Sequence, residues 1–278
     1  MSDPSIALTW AAAAGGVALV MAATAGMTRR AGKAAYVDAA WGASFVAAAW
    51  AATTFVLATG STPSWRGWVL DALVTVWGLR LTWHLARRVS SSEHDDPRYE
   101  DYLGGSVADV PFVRVLMKVF GLQGLLVAIV ALPLAVGVSR PASALWVVVI
   151  GAALWLVGLV FEAVSDAQLS AYRADPHRPP LLTTGLWAWS RHPNYFGDFC
   201  VWWGLWLVAA PGTAIGWISV LSPVVMSWIL IRVSGVRLAE QRMAGRPGWT
   251  EYRSRTAIFV PRPPRRRIPS RRGMRAEQ

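Results

Sequence analysis

The run Arg191-His192-Pro193-Asn194-Tyr195-Phe196-Gly197-Asp198 passes without a break into the tryptophan-rich apolar residues 199–210. Ionisable and amide side chains therefore stand at the mouth of a membrane-length apolar segment. Polar groups at the edge of hydrocarbon cost several kcal/mol unless they bind something. This junction decides two things at once: the fold class, a helix entering a membrane, and the first candidate site.

The rest of the chain agrees with that class. Of 278 residues, 54% are hydrophobic, only 15% are charged and 17 are tryptophan. A soluble chain carries roughly a quarter charged residues, so the composition points to an integral membrane protein. The net charge of +11 invites a nucleic-acid reading until it is located. Thirteen of the 27 Lys and Arg residues fall at or after Arg232. A basic tail behind membrane helices meets anionic lipid head groups or a phosphorylated ligand, so no nucleic-acid partner is expected. Cys200 is the single cysteine, which excludes an intrachain disulfide. The first apolar run is too long for a signal-peptide core and lacks a basic start, so it reads as a retained helix.

A hydrocarbon core of about 30 Å takes about 20 helical residues. Windows of that kind occur at 6–27, 36–59, 68–86, 115–138 and 144–165, and a longer stretch covers 195–210 and 214–231. Pro211-Gly212 divides that stretch, and such a dipeptide signals a turn. It predicts a helical hairpin and a total of seven spans. Arg29, Arg30 and Lys33 follow the first span; Arg87, Arg88, Arg98 and Arg114 the third; Arg173, Arg178 and Arg191 the fifth; and the basic tail follows the seventh. The opposite loops hold only Arg66 and Arg140. By the positive-inside rule the N-terminus is expected outside and the C-terminus in the cytoplasm. The expected fold is thus an all-α, seven-helix membrane domain over residues 1–260. A basic, Pro- and Arg-rich tail that cannot build a core follows at 261–278.

One predicted side of the bilayer collects the polar residues. Tyr36, Asp38 and Trp41 open the second span, Arg80 and His84 lie in the third, and His94-Asp95-Asp96-Pro97-Arg98-Tyr99 follows it. Gln123 stands among leucines and valines, and the fifth span ends with Glu162, Asp166, Gln168 and Arg173. Glu162 and Asp166 are four apart, so they share a helix face and repel unless something cationic or hydrogen-bonding lies between them. Arg80, Arg173, Arg191 or a ligand's amide and hydroxyl groups can do that. The bland alternatives are a buried ion network for Glu162 and Arg80, and simple helix capping for Asp38. Beyond the last span, Arg237, Glu240, Arg242, Tyr252, Arg253 and Arg255 can fold back beneath a pocket. Arginine grips phosphates bidentately and stacks on aromatic rings, as a dinucleotide requires.

Other chemistries are excluded. No glycine-rich fingerprint follows a strand, and His84, His94, His177 and His192 lack metal-ligand spacing. No nucleophile elbow surrounds Ser190.

Gly185-Leu186-Trp187 followed by residues 191–198 resembles the C-terminal half of the steroid 5α-reductase superfamily, and is closest to its bacterial DUF1295 branch. The likeness extends to residues 38–42, to Asp96-Pro97-Arg98-Tyr99, to Glu162 with Asp166 and Gln168, and to residues 235–261. The resemblance implies a reductase in the bacterial cytoplasmic membrane that opens to the cytoplasm. Such an enzyme passes hydride from NADPH to a carbon–carbon double bond of a steroid-like, fatty-acyl or isoprenoid lipid. Carried over by motif position, Asp166 and Arg173 are cofactor residues, and Asn194 and Asp198 hold the nicotinamide–ribose portion. Tyr252 and Arg255 approach the adenosine phosphates, while Arg191, His192, Tyr195, Arg237 and Glu240 complete the cofactor set. Asp38, Tyr99 and Glu162 are the candidate catalytic groups, with Tyr36 a second possible proton donor. Trp77 stands where the 5α-reductases would place a tyrosine, which argues against a 3-keto-steroid substrate.

Two rivals remain open. Isoprenylcysteine and phospholipid methyltransferases share an Arg-His-Pro-x-Tyr run and a downstream Glu, here Glu240, and use them to hold S-adenosylmethionine. A transporter or lipid-binding scaffold is the non-catalytic alternative, although the chain has no internal repeat.

Overall fold

The computed structural model describes residues 5–140, 144–233 and 235–264. Most of the expected basic tail, residues 265–278, lies outside them. The described residues form helices α1 (Ile6–Ala31), α2 (Tyr36–Ala58), α3 (Trp65–Ser90), the short α4 (Pro97–Leu103), α5 (Phe112–Ser139), α6 (Leu145–Ala174) and α7 (Pro193–Ala209). After these come α8 (Ala214–Ile218), α9 (Leu221–Trp228) with a π-helical continuation Ile229–Val233, α10 (Val236–Met243) and α11 (Trp249–Arg255). An isolated parallel bridge joins Ser190 and Ala257.

Among the described residues, five helical stretches are long and apolar enough to cross a membrane: α1, α2, α5, α6 and the run Ala214–Met243. That is fewer than the seven expected from the apolar windows. The difference lies in α3 and α7. Helix α3 has 26 residues but carries Arg66, Asp71, Arg80, His84, Arg87 and Arg88, and α7 has only 17 residues.

The chain divides into two compact units, Met1–Trp155 with Trp202–Val225, and Leu156–Val201 with Met226–Gln278. In the first unit, helices approach closely because small residues face one another. A Cβ on Gly16 would come within 2.6 Å of the Ala47 carbonyl, and one on Gly78 within 2.7 Å of the Gly42 carbonyl. Lipid offers no hydrophobic drive for helix association, so such backbone approach and its van der Waals contact hold the helices together. Phe45, Trp77 and Trp202 are wholly buried, with ring centroids 4.3–5.9 Å apart.

Polar side chains in this unit satisfy one another. Ser64 caps α3 by accepting from Gly67 N, and Asp71 accepts from Thr53 Oγ1 at 2.6 Å. Arg66, expected in an outer loop, is instead buried in the first turn of α3. Its guanidinium donates to the carbonyls of Pro211 and, at 2.7 Å, Arg140. The turn read at Pro211-Gly212 is present. Gly212 adopts φ 112°, Thr213 caps α8, and Trp206 Nε1 donates back to Gly216 O at 3.2 Å.

In the second unit, residues 156–174 of α6 lie against the first turns of α7. A Cβ on Gly158 would come 2.5 Å from the Gly197 carbonyl, and one on Gly197 would come 2.5 Å from Glu162 N. The two glycines thus let the acidic end of α6 and the polar start of α7 meet. The C-terminal segment packs through Leu181, Trp249 and Tyr252, with Met243 against them.

Candidate functional site

Each unit carries one polar cluster. The cluster of the first unit begins at the residue before α4. Asp96 caps that helix by accepting from Arg98 N at 3.0 Å, and Pro97 occupies the first turn, where its missing N–H costs nothing. The cap aims Arg98 and Tyr99 at Asp38 in the first turn of α2. Arg98 Nη2 donates to Asp38 Oδ2 at 2.8 Å, and the Tyr99 hydroxyl to Asp38 Oδ1 at 2.5 Å. Arg98 also pairs with Asp96 at 2.9 Å. The Gln123 amide hydrogen-bonds Tyr99 and accepts from Trp41 Nε1 at 2.7 Å.

Two sequence-predicted catalytic residues, Asp38 and Tyr99, are therefore in direct contact. Burial, reinforced by the Asp38 carboxylate, holds the Tyr99 phenol well above its ordinary range. Burial alone would lower the Arg98 pKa, but the carboxylates of Asp38 and Asp96 outweigh it and raise it. Tyr99 is thus a hydroxyl donor at neutral pH, and Asp38 is held between a cation and that donor. Asp38 does not cap α2. Asp95 instead holds the turn before α2, accepting from the backbone N–H of Ala34 at 2.7 Å and of Ala35 at 2.9 Å. Tyr36 forms the first residue of α2, half-buried.

The second unit holds the other predicted residues, and it sorts them into two groups. The first group is a closed clamp. Arg191 forks onto Glu240, with Nε to Oε1 at 2.9 Å and Nη2 to Oε2 at 2.8 Å. Its Nη1 donates to the carbonyls of Thr256 at 2.7 Å and Arg253 at 3.0 Å. His192 Nε2 also reaches Glu240 Oε1, at 2.9 Å, and its ring stacks on Tyr195. The guanidinium lies over the Trp249 ring, and Arg191 N donates to Ala257 O. Ser190 Oγ donates to Phe259 O at 2.7 Å. Tyr252, buried by Leu181 and Trp249, donates its hydroxyl to Trp187 O at 2.6 Å, and burial pushes its phenol pKa up. These bonds fasten the start of α7 to the C-terminal segment. Four guanidinium contacts are already made, so Arg191 has little left to offer a phosphate.

The second group gathers where α6 meets the start of α7. Glu162 and Asp166 are buried on one face of α6, and half-buried Asn194 and Asp198, four apart, share a face of α7. Asn194 Nδ2 approaches Asp166 Oδ1 at 3.4 Å, a long contact. A carboxylate accepts only, so this contact turns the amide nitrogen toward Asp166 and its oxygen away. Asn194 Oδ1 is buried with no hydrogen-bond partner among the described residues. Buried acceptors of that kind call for an explanation such as a ligand or a water.

The remaining predicted residues lie at the periphery. Arg173 and Arg237 are exposed, and Arg255 pairs with Glu251 at 3.2 Å. Arg255 and Tyr252 line a cleft of about 340 Å³ together with Pro179, Pro180, Leu181 and Pro264. Asp166, Asn194 and Asp198 are not among its walls. Among the described residues there is no His, Cys, Asp and Glu group able to hold a metal ion.

A family model described as a protein of unknown function, DUF1295, matches residues 25–256. The chain belongs to the DUF1295 family. That match takes in both polar clusters of this DUF1295 protein, from Asp38 through Tyr252 and Arg255. No curated protein matches the chain. Sequence reasoning named Arg191, His192 and Glu240 without seeing that they bind one another. It also missed Asp95 as the group that receives the start of α2. The signal for Asp95 was available: an acid next to a Pro-started turn, facing a Lys-Ala-Ala junction with free N–H groups.

Proposed function

We propose that this DUF1295 protein is a membrane-embedded, NADPH-dependent reductase of a carbon–carbon double bond in a lipid. The observation that carries the reading is Asn194. Its amide is oriented by Asp166, and its buried oxygen has no partner. A carboxamide N–H or a ribose hydroxyl would meet that acceptor, and the neighbouring carboxylates Asp166 and Asp198 suit further hydroxyl donors. The nicotinamide riboside end of NADPH offers both kinds of donor. Its phosphates require cations, which Arg173, Arg237 and Arg255 supply. Once bound, NADPH supplies a hydride to the substrate carbon.

The chain's own residues have three tasks: to orient the cofactor, exclude water, and hold the proton. Asp166, Asn194 and Asp198 orient, with Glu162 beside them on α6. The closed clamp of Arg191, His192 and Glu240 keeps the C-terminal segment in place. Tyr99 keeps its proton at neutral pH, and Asp38 and Gln123 fix its hydroxyl, so Tyr99 is the proposed acid and Asp38 its positioning partner. A lipid substrate agrees with the surrounding apolar helices.

We also read α3 and α7 as two further spans, giving seven. Helix α3 is long enough, and the buried partners of Arg66 and Asp71 remove their cost in lipid. The 17 residues of α7 meet the lower limit for a span. With the positive-inside pattern this puts the basic C-terminal side in the cytoplasm of a bacterial inner membrane.

The methyltransferase reading would assign cofactor binding to Arg191, His192 and Glu240. Those three side chains are committed to each other, and for that reason the reductase reading is preferred. NADPH oxidation by the purified protein, supplied with membrane lipid extract, tests it. Oxidation should accompany loss of an unsaturated lipid by mass spectrometry. Asp38→Ala should abolish turnover and leave NADPH binding intact. No oxidation across lipid classes, with methyl transfer from S-adenosylmethionine instead, would overturn the proposal.

A further inference from the structure

One apolar surface of the second unit lies outside everything used above. It is carried by Trp189 and by the extended residues 257–260 behind α11. Side chains alternate along that segment as they do in a strand. Ala257 is buried and Phe259 half-buried, whereas Ile258 and Val260 are 49% and 64% exposed. Trp189, 46% exposed, accepts from Arg262 N through its carbonyl at 3.1 Å.

Packing fixes the level of this segment. The Phe259 ring meets Phe196 and Phe199 edge-on, with centroids 6.0 and 5.6 Å away. It therefore sits against α7 between residues 196 and 199, a rise of about 4.5 Å. Gly197, at that level, lies against the α6 backbone between Gly158 and Glu162. Phe196 also meets Phe161 of α6, at 5.4 Å.

On α6 the same turns present Val157, Val160 and Val164, all exposed. Leu145–Ala174 is long and apolar enough to cross a membrane, so these valines face lipid. After Val164 the helix turns polar, with Gln168, Ser170 and Arg173, which marks this level as the edge of the hydrocarbon. Ile258 and Val260 are each about 3.3 Å along the chain from Phe259 and share its depth. The segment's backbone suits that place, because polar groups near lipid need internal partners. The carbonyls of Thr256, Ala257 and Phe259 accept from Arg191 Nη1, Arg191 N and Ser190 Oγ. Tryptophan belongs at the same boundary, its ring apolar and its N–H turned to the headgroups.

We propose that Ile258, Val260 and Trp189 form a lipid-facing anchor, inserted at the headgroup–acyl boundary of the bilayer that α6 crosses. Thr256 and Ala257 are also acceptors of Arg191, so the anchor ties the clamp to the membrane surface. It does not depend on the reductase reading.

The test uses the full chain in phospholipid nanodiscs. Ile258→Cys and Val260→Cys, each in a Cys200→Ser background, are labelled with a nitroxide. Collisions of the label with oxygen and with a water-soluble nickel chelate are then measured. Val157→Cys is the lipid reference, and Glu93→Cys, in the exposed turn after α3, is the water reference. At 258 and 260 oxygen collisions should exceed chelate collisions, as at 157, with the order reversed at 93. A second measurement needs no substitution. Phospholipid with a diazirine on its acyl chain near the ester is photolysed beside the native chain, and the tryptic peptide that begins at Thr256 should carry the cross-linked lipid. Should a labelled variant fail to fold, the cross-link decides. Chelate collisions at 258 and 260 equal to those at 93, low collision with both reagents as beneath a second copy of the chain, or no lipid on the Thr256 peptide would each overturn the proposal.

Discussion

Arg191 and Asn194 stand three residues apart in one motif, yet their surroundings differ in kind. Around Arg191 every strong group is answered: a forked carboxylate, two backbone carbonyls, a stacked indole and a histidine on the same acid. Around Asn194 the bond to Asp166 is long, and an acceptor is buried without a partner among the described residues. The difference teaches that one short sequence serves two ends. Its first two residues lock the C-terminal segment, and Asn194 presents an unmet acceptor. A motif match alone cannot separate these roles; hydrogen-bond saturation can.

The comparison breaks most visibly at the clamp. Arg191→Ala leaves the partly buried Glu240 carboxylate with His192 alone and strands the carbonyls of Arg253 and Thr256, which should cost about 3–5 kcal/mol. Denaturation in detergent should show that loss, with NADPH binding falling only through unfolding. A smaller penalty is expected at the helix contact. Gly197→Ala puts a methyl group against Glu162 N, 2.5 Å away, and overpacking of this sort costs about 1–3 kcal/mol. Because it parts α6 from α7, this variant should weaken NADPH binding beyond its effect on stability. Asn194→Ala should do the opposite of Arg191→Ala. Its stability should change by less than about 1 kcal/mol, since the bond lost is long, while NADPH affinity drops about tenfold or more. Tyr252→Phe sharpens the contrast from the clamp side. Removing the bond to Trp187 O should cost about 1 kcal/mol and leave the NADPH affinity of the folded protein unchanged.

Much of this could be read from residues. The turn at Pro211-Gly212 followed from local turn chemistry. The meeting of Asp38 with Tyr99, and of Asp166 with Asn194, agrees with polar groups gathering where lipid would otherwise strand them. Other features depend on distant partners. Glu240 lies 49 positions from Arg191, and nothing local in either residue reveals that they pair. Arg66 looked like a loop cation because one charge beside a run of apolar residues is ambiguous. Only the carbonyls of Pro211 and Arg140, far along the chain, explain its burial. The span count suffered from a similar ambiguity. Apolar windows locate helices, but α3 carries charges that find internal partners, and mean hydropathy cannot weigh a partner.

Titration of the lipid-solubilised protein with NADPH and, separately, with S-adenosylmethionine tests the central claim most directly, using melting temperature as readout. NADPH should stabilise the native protein and Tyr252→Phe alike and fail to stabilise Asn194→Ala, while S-adenosylmethionine has no effect. Stabilisation by S-adenosylmethionine without NADPH, or NADPH stabilisation undiminished in Asn194→Ala, would contradict it.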